Sequence, residues 1–213
     1  MNINNEIEKY VTDEILPRYS CFDKAHNICH VTRVIQESLL LVSHFSVNPD
    51  MVYTIAAYHD LGLIAGREEH HKISGSILRA DCKLQRWFIP EDITVMAEAV
   101  EDHRASASCE PRSIYGKIVA EADRDIEPLI VLRRAVQYGL SKYSVLTKEA
   151  QFARFRTHIN EKYGKEGYIK LWIPFSRNAE GLSRLRAMLL DENLLHGVFD
   201  EIYNEEIQRI SGR

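Results

Sequence analysis

The sequence lacks a long hydrophobic run and a cysteine framework. Its longest apolar stretch, around residues 39–42, ends in Ser43 and His44, whereas a membrane-spanning helix needs about 20 consecutive apolar residues. Only four of its 213 residues are cysteines, and they show neither paired zinc-ligand spacing nor the density of a disulfide scaffold. The N-terminus does not resemble a signal peptide. We therefore expect a soluble cytoplasmic protein without a membrane partner.

The sequence also lacks an excess of positive charge. The formal net charge is -4 and the isoelectric point is about 6.1, so no general basic field attracts nucleic acids or anionic membranes. We therefore expect no general nucleic-acid binding, although a local basic cleft stays compatible with this composition. Hydrophobic residues make up 45% of the chain, which is enough for one well-buried core. Length and composition predict a single domain over residues 1–213.

Long alternating patterns, which are typical of strands, are missing as well. Apolar residues instead recur at helical intervals, as at Ile7 and Val11. Capping groups or prolines followed by acidic residues mark helix starts near Pro49, Pro90 and Thr147. The sequence therefore predicts an all-α fold. The predicted helices span residues 4–16, 27–46, 49–60, 71–82, 90–103, 112–124, 127–139, 147–163, 179–190 and 191–208, with loops at 61–70, 104–111 and 164–178.

The adjacent residues His59 and Asp60 end an apolar helical run. Neighbouring side chains on a helix diverge by about 100°, so they converge on one point only near a helix end. A divalent cation fits between an imidazole and a carboxylate placed in this way. A capped helix end is the alternative for an isolated pair, so the residues spaced around the pair decide between the two interpretations.

His30 and Asp123 lie in apolar surroundings on two other predicted helices. His30 shares its helix face with Val34, and Asp123 ends an apolar run in which a carboxylate is hard to bury without a cation. Arg33 is a candidate partner for Asp123, and His26 leaves a local His-x3-His chelate open. Two imidazoles and two carboxylates form a mixed nitrogen and oxygen set, which suits a borderline or hard divalent metal and does not suit a thiolate site.

The order His, His-Asp, Asp resembles the HD-domain superfamily of metal-dependent phosphohydrolases, whose core is all-helical. The resemblance covers about residues 23–125. The motifs that carry it are His30-Val-Thr-Arg-Val, Tyr-His59-Asp60-Leu-Gly and Glu-Ala-Asp123-Arg-Asp. It implies an HD metal-binding core over residues 20–130, with additional C-terminal helices that form an extension over 140–213.

Two further histidines match a second metal site that some members of the superfamily contain. His70 precedes a pair of small residues, and His103 ends the next predicted helix. The ligands implied by the resemblance are His30, His59, Asp60 and Asp123 for a first ion, and Asp60, His70 and His103 for a second, with Asp60 as the bridge. In the alternative with one ion, His70, His71 and His103 contact substrate phosphate. His71 has an equivalent spacing, so the choice between the two neighbours stays open and we favour His70.

The resemblance implies hydrolysis of a phosphoric ester or anhydride, with one or two divalent ions among Mn, Fe, Ni, Co, Zn and Mg. A bound metal ion turns water into a nucleophile near neutral pH, so no serine or cysteine nucleophile is needed. The expected substrate is a small phosphorylated metabolite, with nucleotides favoured by the superfamily's activities. The candidate catalytic residues are Asp60, Asp102 and Arg33, and the candidate substrate-binding residues are His71, Lys24 and Arg104. Asp102 would orient His103 or act as a general base.

Two other classes of function stay open. The superfamily includes oxygenases with two irons, and the six-ligand set would also serve that chemistry. A ligand-sensing module with a structural metal is the non-enzymatic alternative. Its best support is the leucine-rich segment 179–213, which would offer a face to a partner or to a second copy in a homodimer. Packing of the same leucines within the domain is the simpler interpretation.

Overall fold

The computed structural model describes residues 2–23, 25–104 and 109–212. Over these residues the chain forms ten α-helices and no strand, which confirms the predicted all-α fold. The helices are α1 (Asn5–Tyr10), α2 (Ile28–Val42), α3 (Pro49–Tyr58), α4 (His70–Ala80), α5 (Pro90–Glu101), α6 (Ile114–Asp123), α7 (Pro128–Lys142), α8 (Lys148–Tyr163), α9 (Arg177–Leu190) and α10 (Glu192–Ser211). None of these described helices has both the length and the apolar character of a membrane span.

The helices begin at the predicted signals. The side chain of Asn48 accepts a hydrogen bond from the backbone N–H of Asp50, and that of Thr147 accepts one from Ala150. Each cap satisfies a donor that the first turn of a helix leaves without a partner. Pro90 begins α5, where its missing N–H costs nothing. All three predicted starts are confirmed.

Two predicted boundaries were wrong because the chain locally forms π-helical or 3-10 turns in place of α-helical ones or of a loop. Instead of one helix over 4–16, α1 continues as a π-helical segment, Val11–Ile15, and then as a 3-10 segment, Leu16–Cys21. Pro17 cannot donate an α-helical hydrogen bond, and it lies in the first turn of the 3-10 segment. The predicted loop 61–70 likewise begins with a 3-10 segment, Leu61–Ala65.

The chain divides into two compact units, Met1–Arg124 and Asp125–Arg213. Helices α1 to α6 belong to the first unit and α7 to α10 to the second. The second unit has its own apolar core, in which Leu132, Phe155 and Phe199 are almost completely buried. The organisation of the whole chain as a single domain stays a prediction.

In the first unit, α3 is buried along nearly its whole length. Every residue from Met51 to Tyr58 is buried, and α3 contacts α2, α4, α5 and α6. Its C-terminal end therefore lies inside the unit. There the Tyr19 hydroxyl donates to the carbonyl of Ala57 at 2.9 Å and accepts from the N–H of Asp60 at 3.3 Å. Tyr19 thus fixes the direction in which the chain leaves α3.

In the second unit, residues 164–176 form an irregular segment between α8 and α9. Its side chains Ile169 and Ile173 are buried. Arg186 of α9 donates to the carbonyls of Tyr163 and Gly164 at 3.0 and 3.2 Å, and so supplies donors to the C-terminal end of α8. These contacts make the segment a packed loop.

Candidate metal centre

The structure brings together the six residues that the sequence proposes as metal ligands. They come from the first turn of α2, the residues after α3, the start of α4, the residues after α5 and the end of α6. These residues are His30, His59, Asp60, His70, His103 and Asp123. Two groups among them have the geometry to hold a metal ion, one formed by His30, His59 and Asp60 and the other by Asp60, His70 and His103.

The first group contains two imidazoles and one carboxylate, and the carboxylate of Asp123 lies beside it. The Nε2 atoms of His30 and His59 are 3.2 Å apart, and Oδ2 of Asp60 lies 3.3 Å from the first and 3.2 Å from the second. Oδ1 of Asp123 lies 3.2 Å from His30 Nε2 and 3.7 Å from His59 Nε2. Four donor atoms from three helical segments therefore surround one point, as a divalent metal requires.

The second group uses the other oxygen of Asp60. Oδ1 of Asp60 lies 3.5 Å from Nε2 of His70 and 3.5 Å from Nε2 of His103, and these two nitrogens are 3.1 Å apart. His71 is the outer neighbour, with its ring centre 5.6 Å from that of His70. The two oxygens of one carboxylate consequently face two separate pairs of histidines.

Backbone hydrogen bonds set the orientation of the imidazoles. Three rings donate Nδ1–H to the carbonyl three residues earlier: His59 to Ala56 at 2.7 Å, His70 to Arg67 at 2.8 Å and His103 to Val100 at 2.6 Å. A carbonyl only accepts, so each neutral ring carries its proton on Nδ1 and its lone pair on Nε2. Metal-binding histidines are oriented in this way. The facing lone pairs of His70 and His103 need a cation or a proton beside them, so the donor set fits a metal ion.

Burial and neighbouring charges shift the pKa values of the residues at this centre in opposite directions. His59 is fully buried, and Asp60 and His103 are only 3% and 2% exposed. Burial alone would raise the pKa of the Asp60 carboxyl, but the surrounding histidines hold this pKa well below its usual range. Burial alone would lower the pKa of His30, but hydrogen bonds to Asp123 and Asp60 raise it to about 9. The carboxylates therefore stay ionised inside the fold and demand positive charge.

Metal binding should compete with protons at His30. In the metal-free protein its pKa of about 9 means that His30 is protonated at neutral pH, and a metal must displace that proton. The affinity for Mn²⁺ should fall by about tenfold per pH unit as pH decreases from about 9 to about 7, for one displaced proton. Calorimetric titration in buffers of different ionisation enthalpy measures both the affinity and the protons released. An affinity independent of pH over this interval would contradict the expectation.

Arg33 contacts backbone rather than a carboxylate. Its guanidinium donates to the carbonyls of Ala122 at 3.1 Å and Asp123 at 3.2 Å, with Arg124 at 3.5 Å. These oxygens end α6 and have no partner within that helix. The contacts support Arg33 as a positioning residue that fixes Asp123, which is the alternative to its predicted catalytic role. The expected pairing with a carboxylate is not found among the described residues.

Asp102 is held by Arg112. The backbone N–H of Arg112 donates to Oδ2 of Asp102 at 2.7 Å, and its Nε donates to Oδ1 at 3.0 Å. His103 is oriented by the carbonyl of Val100 and not by Asp102. The role of Asp102 as a general base stays a prediction, whereas its contacts connect the end of α5 to the segment before α6.

The structure describes two of the three candidate substrate-binding residues, His71 and Arg104, and their contacts differ. The Nδ1 atom of His71 is buried and has no hydrogen-bond partner among the described residues. Arg104 donates to the carbonyl of Glu68 at 2.7 Å. Lys24 lies outside the described residues.

Gly62 and Ser74 join the segment after Asp60 to the start of α4, where His70 lies. In the sequence, only the small residues around the motifs indicate this role. The N–H of Gly62 donates to the Ser74 hydroxyl at 2.8 Å. A Cβ on Gly62 would lie 2.1 Å from the carbonyl oxygen of His70 and 2.6 Å from the nitrogen of Ser74. Only a glycine therefore lets the segment after Asp60 approach α4 so closely.

Replacing Gly62 with alanine should destabilise the chain, because backbone atoms of α4 have to move. We expect Gly62→Ala to lower the free energy of unfolding by about 3 kcal/mol. The matched control is Gly197→Ala, since Gly197 lies within α10 and a Cβ there meets nothing within 4 Å. That change should raise the free energy by about 0.5–1 kcal/mol. Denaturant unfolding measures both, and equal effects of the two changes would refute the packing explanation.

The HD-domain family model matches residues 27–126 of the chain. Among solved structures, the chain is similar to a predicted HD superfamily hydrolase from an uncultured Thermotogales bacterium, with 20% identity and a TM-score of 0.48. The alignment covers 71% of this chain and 82% of the other. No curated protein matches the chain.

The matched segment contains all six residues of the cluster. An HD domain implies a divalent metal ion, and the two groups around Asp60 are able to hold one. The match and the cluster together support a metal-dependent hydrolase. The part of the chain that matches the HD-domain family model is therefore the part that contains the candidate metal ligands.

Proposed function

We propose that the chain is a metal-dependent phosphohydrolase that acts on a small phosphorylated metabolite, with nucleotides as the favoured class. The observation that carries the proposal is the position of Asp60. Its Oδ2 faces His30 and His59, and its Oδ1 faces His70 and His103. A carboxylate shared between two groups of ligands suits a pair of ions, and paired ions are common in phosphatases and nucleases.

The proposed ligands would leave coordination positions open for water and substrate. His30, His59, Asp60 and Asp123 would hold the first ion, and Asp60, His70 and His103 would hold the second. When bound, the metal lowers the pKa of a water molecule toward neutrality and polarises phosphoryl oxygens. The three-residue second set is smaller than a closed structural site, which has four protein ligands. This difference supports a catalytic role for the centre.

In the proposed reaction, the oxygen of water bonds to phosphorus while the bond from phosphorus to the leaving oxygen breaks. The attacking water gives up a proton, and the leaving oxygen takes one up. His71 and Arg104 are the described residues that we propose to contact phosphoryl oxygens. His71 adjoins His70, and Arg104 follows His103 in the chain, so both stand beside the second group. Their N–H groups would donate hydrogen bonds to the phosphoryl oxygens, and the guanidinium of Arg104 would also offset their negative charge.

A substrate panel tests the proposal. Nucleotides, cyclic nucleotides, nucleoside polyphosphates and simple phosphoesters are each incubated with the chain and Mn, Mg, Co, Ni, Fe or Zn, and the products are separated by chromatography. We expect hydrolysis of at least one nucleotide class, its loss in a chelator, and its return with the same metal. No hydrolysis with any of these metals would contradict the proposal.

The same geometry favours one alternative, a di-iron oxygenase. Six His and Asp ligands around two positions also suit iron, which accepts mixed nitrogen and oxygen ligands. The reduced iron-loaded chain would then consume oxygen and hydrolyse no phosphate compound. Two irons per chain together with that result would replace the phosphohydrolase proposal.

A further inference from the structure

A cavity of about 750 Å³ lies between α7 and α8 in the second unit. All the residues that line it belong to these two helices or to the start of the turn that joins them. The HD-domain match ends at residue 126, before α7 begins. The volume is typical of small-molecule sites, which measure about 300–1,000 Å³.

The cavity is cationic although the chain is acidic. Its lining contains three permanent cations, Arg134, Arg154 and Lys162, and one carboxylate, Glu161, whereas the whole chain carries a net charge of -4. Arg134 is paired with Asp125 at 3.2 Å. Arg154 and Lys162 instead lie beside tyrosine rings and have no acidic partner within the described part of the chain. Their charge is therefore available to an anion.

Arg154 is fixed against α7 with a donor left over. Its NH2 donates to the carbonyl of Ala135 at 2.7 Å. A Cβ on Gly139 would lie 2.4 Å from the same nitrogen, so a glycine within the helix allows this approach. The Nε of Arg154 is buried and has no acceptor in the described part of the chain. The guanidinium of Arg154 is thus held in place against α7 while it lines the cavity.

Histidine and tyrosine side chains complete the lining. Burial lowers the pKa of His158, and nearby Lys162 and Arg154 lower it further, which agrees with a positive potential in the cavity. The rings of Tyr138 and Tyr143 lie 6.0 and 5.7 Å from the guanidinium carbon of Arg154. The two tyrosines are 53% and 44% exposed, so part of each ring is accessible to a flat ligand ring.

We propose that this cavity binds a small ligand that joins a phosphate group to an aromatic ring, of the class of nucleoside monophosphates. The phosphate lies against Arg154 and Lys162, because a guanidinium and an ammonium together match a dianion. The ring lies against Tyr138 and Tyr143. The site is separate from the metal centre and does not depend on the phosphohydrolase proposal.

Binding of adenosine monophosphate, adenosine and inorganic phosphate to the full chain tests the proposal. The chain carries Asp60→Asn, so that binding at the metal centre is impaired and no hydrolysis interferes. We expect the monophosphate to bind at least about tenfold more tightly than adenosine or phosphate alone. Adding Arg154→Gln or Lys162→Gln should weaken its binding by about tenfold, because each removes a charged donor to the phosphate.

The matched controls remove the same charges from positions of the second unit outside the cavity. Arg156 lies on α8 and pairs with Glu192, and Lys165 is exposed just beyond α8. Arg156→Gln and Lys165→Gln should leave the affinity unchanged. If Arg154→Gln loses helicity, Lys162→Gln is the deciding variant, since the side chain of Lys162 makes only a ring contact in the described part of the chain.

Three results would overturn the proposal. The first is that adenosine monophosphate does not bind at a concentration of about 1 mM, because its affinity would then be weaker than a specific site requires. The second is equal weakening by Lys162→Gln and its control, and the third is binding of free phosphate as tight as that of the monophosphate. Failure of the metal centre to hydrolyse any substrate leaves the expected binding unchanged, because the assay uses a chain without the Asp60 carboxylate.

Discussion

Replacement of Asp60 by asparagine should reduce phosphohydrolase turnover by at least about 1,000-fold. The amide keeps the size of the side chain, but it removes the charge and one of the two oxygens that face the histidine pairs. Loss of the bridge costs several kcal/mol of transition-state stabilisation, and each 1.4 kcal/mol is a factor of about ten. Turnover is measured on the best substrate of the panel, and bound metal is measured by elemental analysis.

The matched control for this change is Asp13→Asn. Asp13 is an exposed carboxylate that pairs with Lys9 at 2.7 Å, and exposed pairs of this kind contribute little to stability. Its loss should leave turnover and metal content unchanged. Turnover in Asp60→Asn within a few-fold of the original chain would show that the carboxylate has no part in the chemistry.

Removal of the His70 imidazole should change the number of bound metals. His70→Ala deletes one of two nitrogens in the second group, so we expect one ion per chain in place of two. Turnover should fall by about 100-fold, because one ion cannot stabilise both the attacking and the leaving oxygen. Elemental analysis of dialysed protein and turnover at saturating metal measure the two effects separately.

His71→Ala is the matched change at the neighbouring position. Its ring lies outside both ligand groups, so the chain should keep two ions. The substrate KM should increase if His71 contacts phosphate as proposed. Loss of one ion in His71→Ala, with two ions kept in His70→Ala, would reverse the assignment of the two histidines.

The sequence predicts those features that depend on local chemistry. Helix starts are set by single capping residues such as Asn48 and Thr147, which act within one turn. Asp60 and Asp123 stand out in the sequence because each ends an apolar run and needs a partner, whereas His70 and His103 are indicated only by the resemblance to the HD-domain superfamily. The order of the cluster residues in the chain, and not any single motif, indicates the HD domain.

The contacts that support the metal centre from distant parts of the chain could not be predicted. The hydroxyl of Tyr19 orients the end of α3 from 41 positions before Asp60, and nothing in the local sequence marks that role. The guanidinium of Arg33 donates to backbone carbonyls of α6, whereas the sequence indicates only its possible side-chain partners. The cationic cavity likewise arises from α7 and α8 together. Each helix alone presents ordinary surface cations.

Anomalous X-ray diffraction from crystals of the manganese-loaded chain tests the central claim most directly. The shared carboxylate of Asp60 predicts two peaks about 3.5–4 Å apart, which is the usual spacing of paired catalytic ions. One peak should contact His30, His59 and Asp123, and the other His70 and His103, with Asp60 between them. A single peak, or two peaks without Asp60 between them, would contradict the bridged centre.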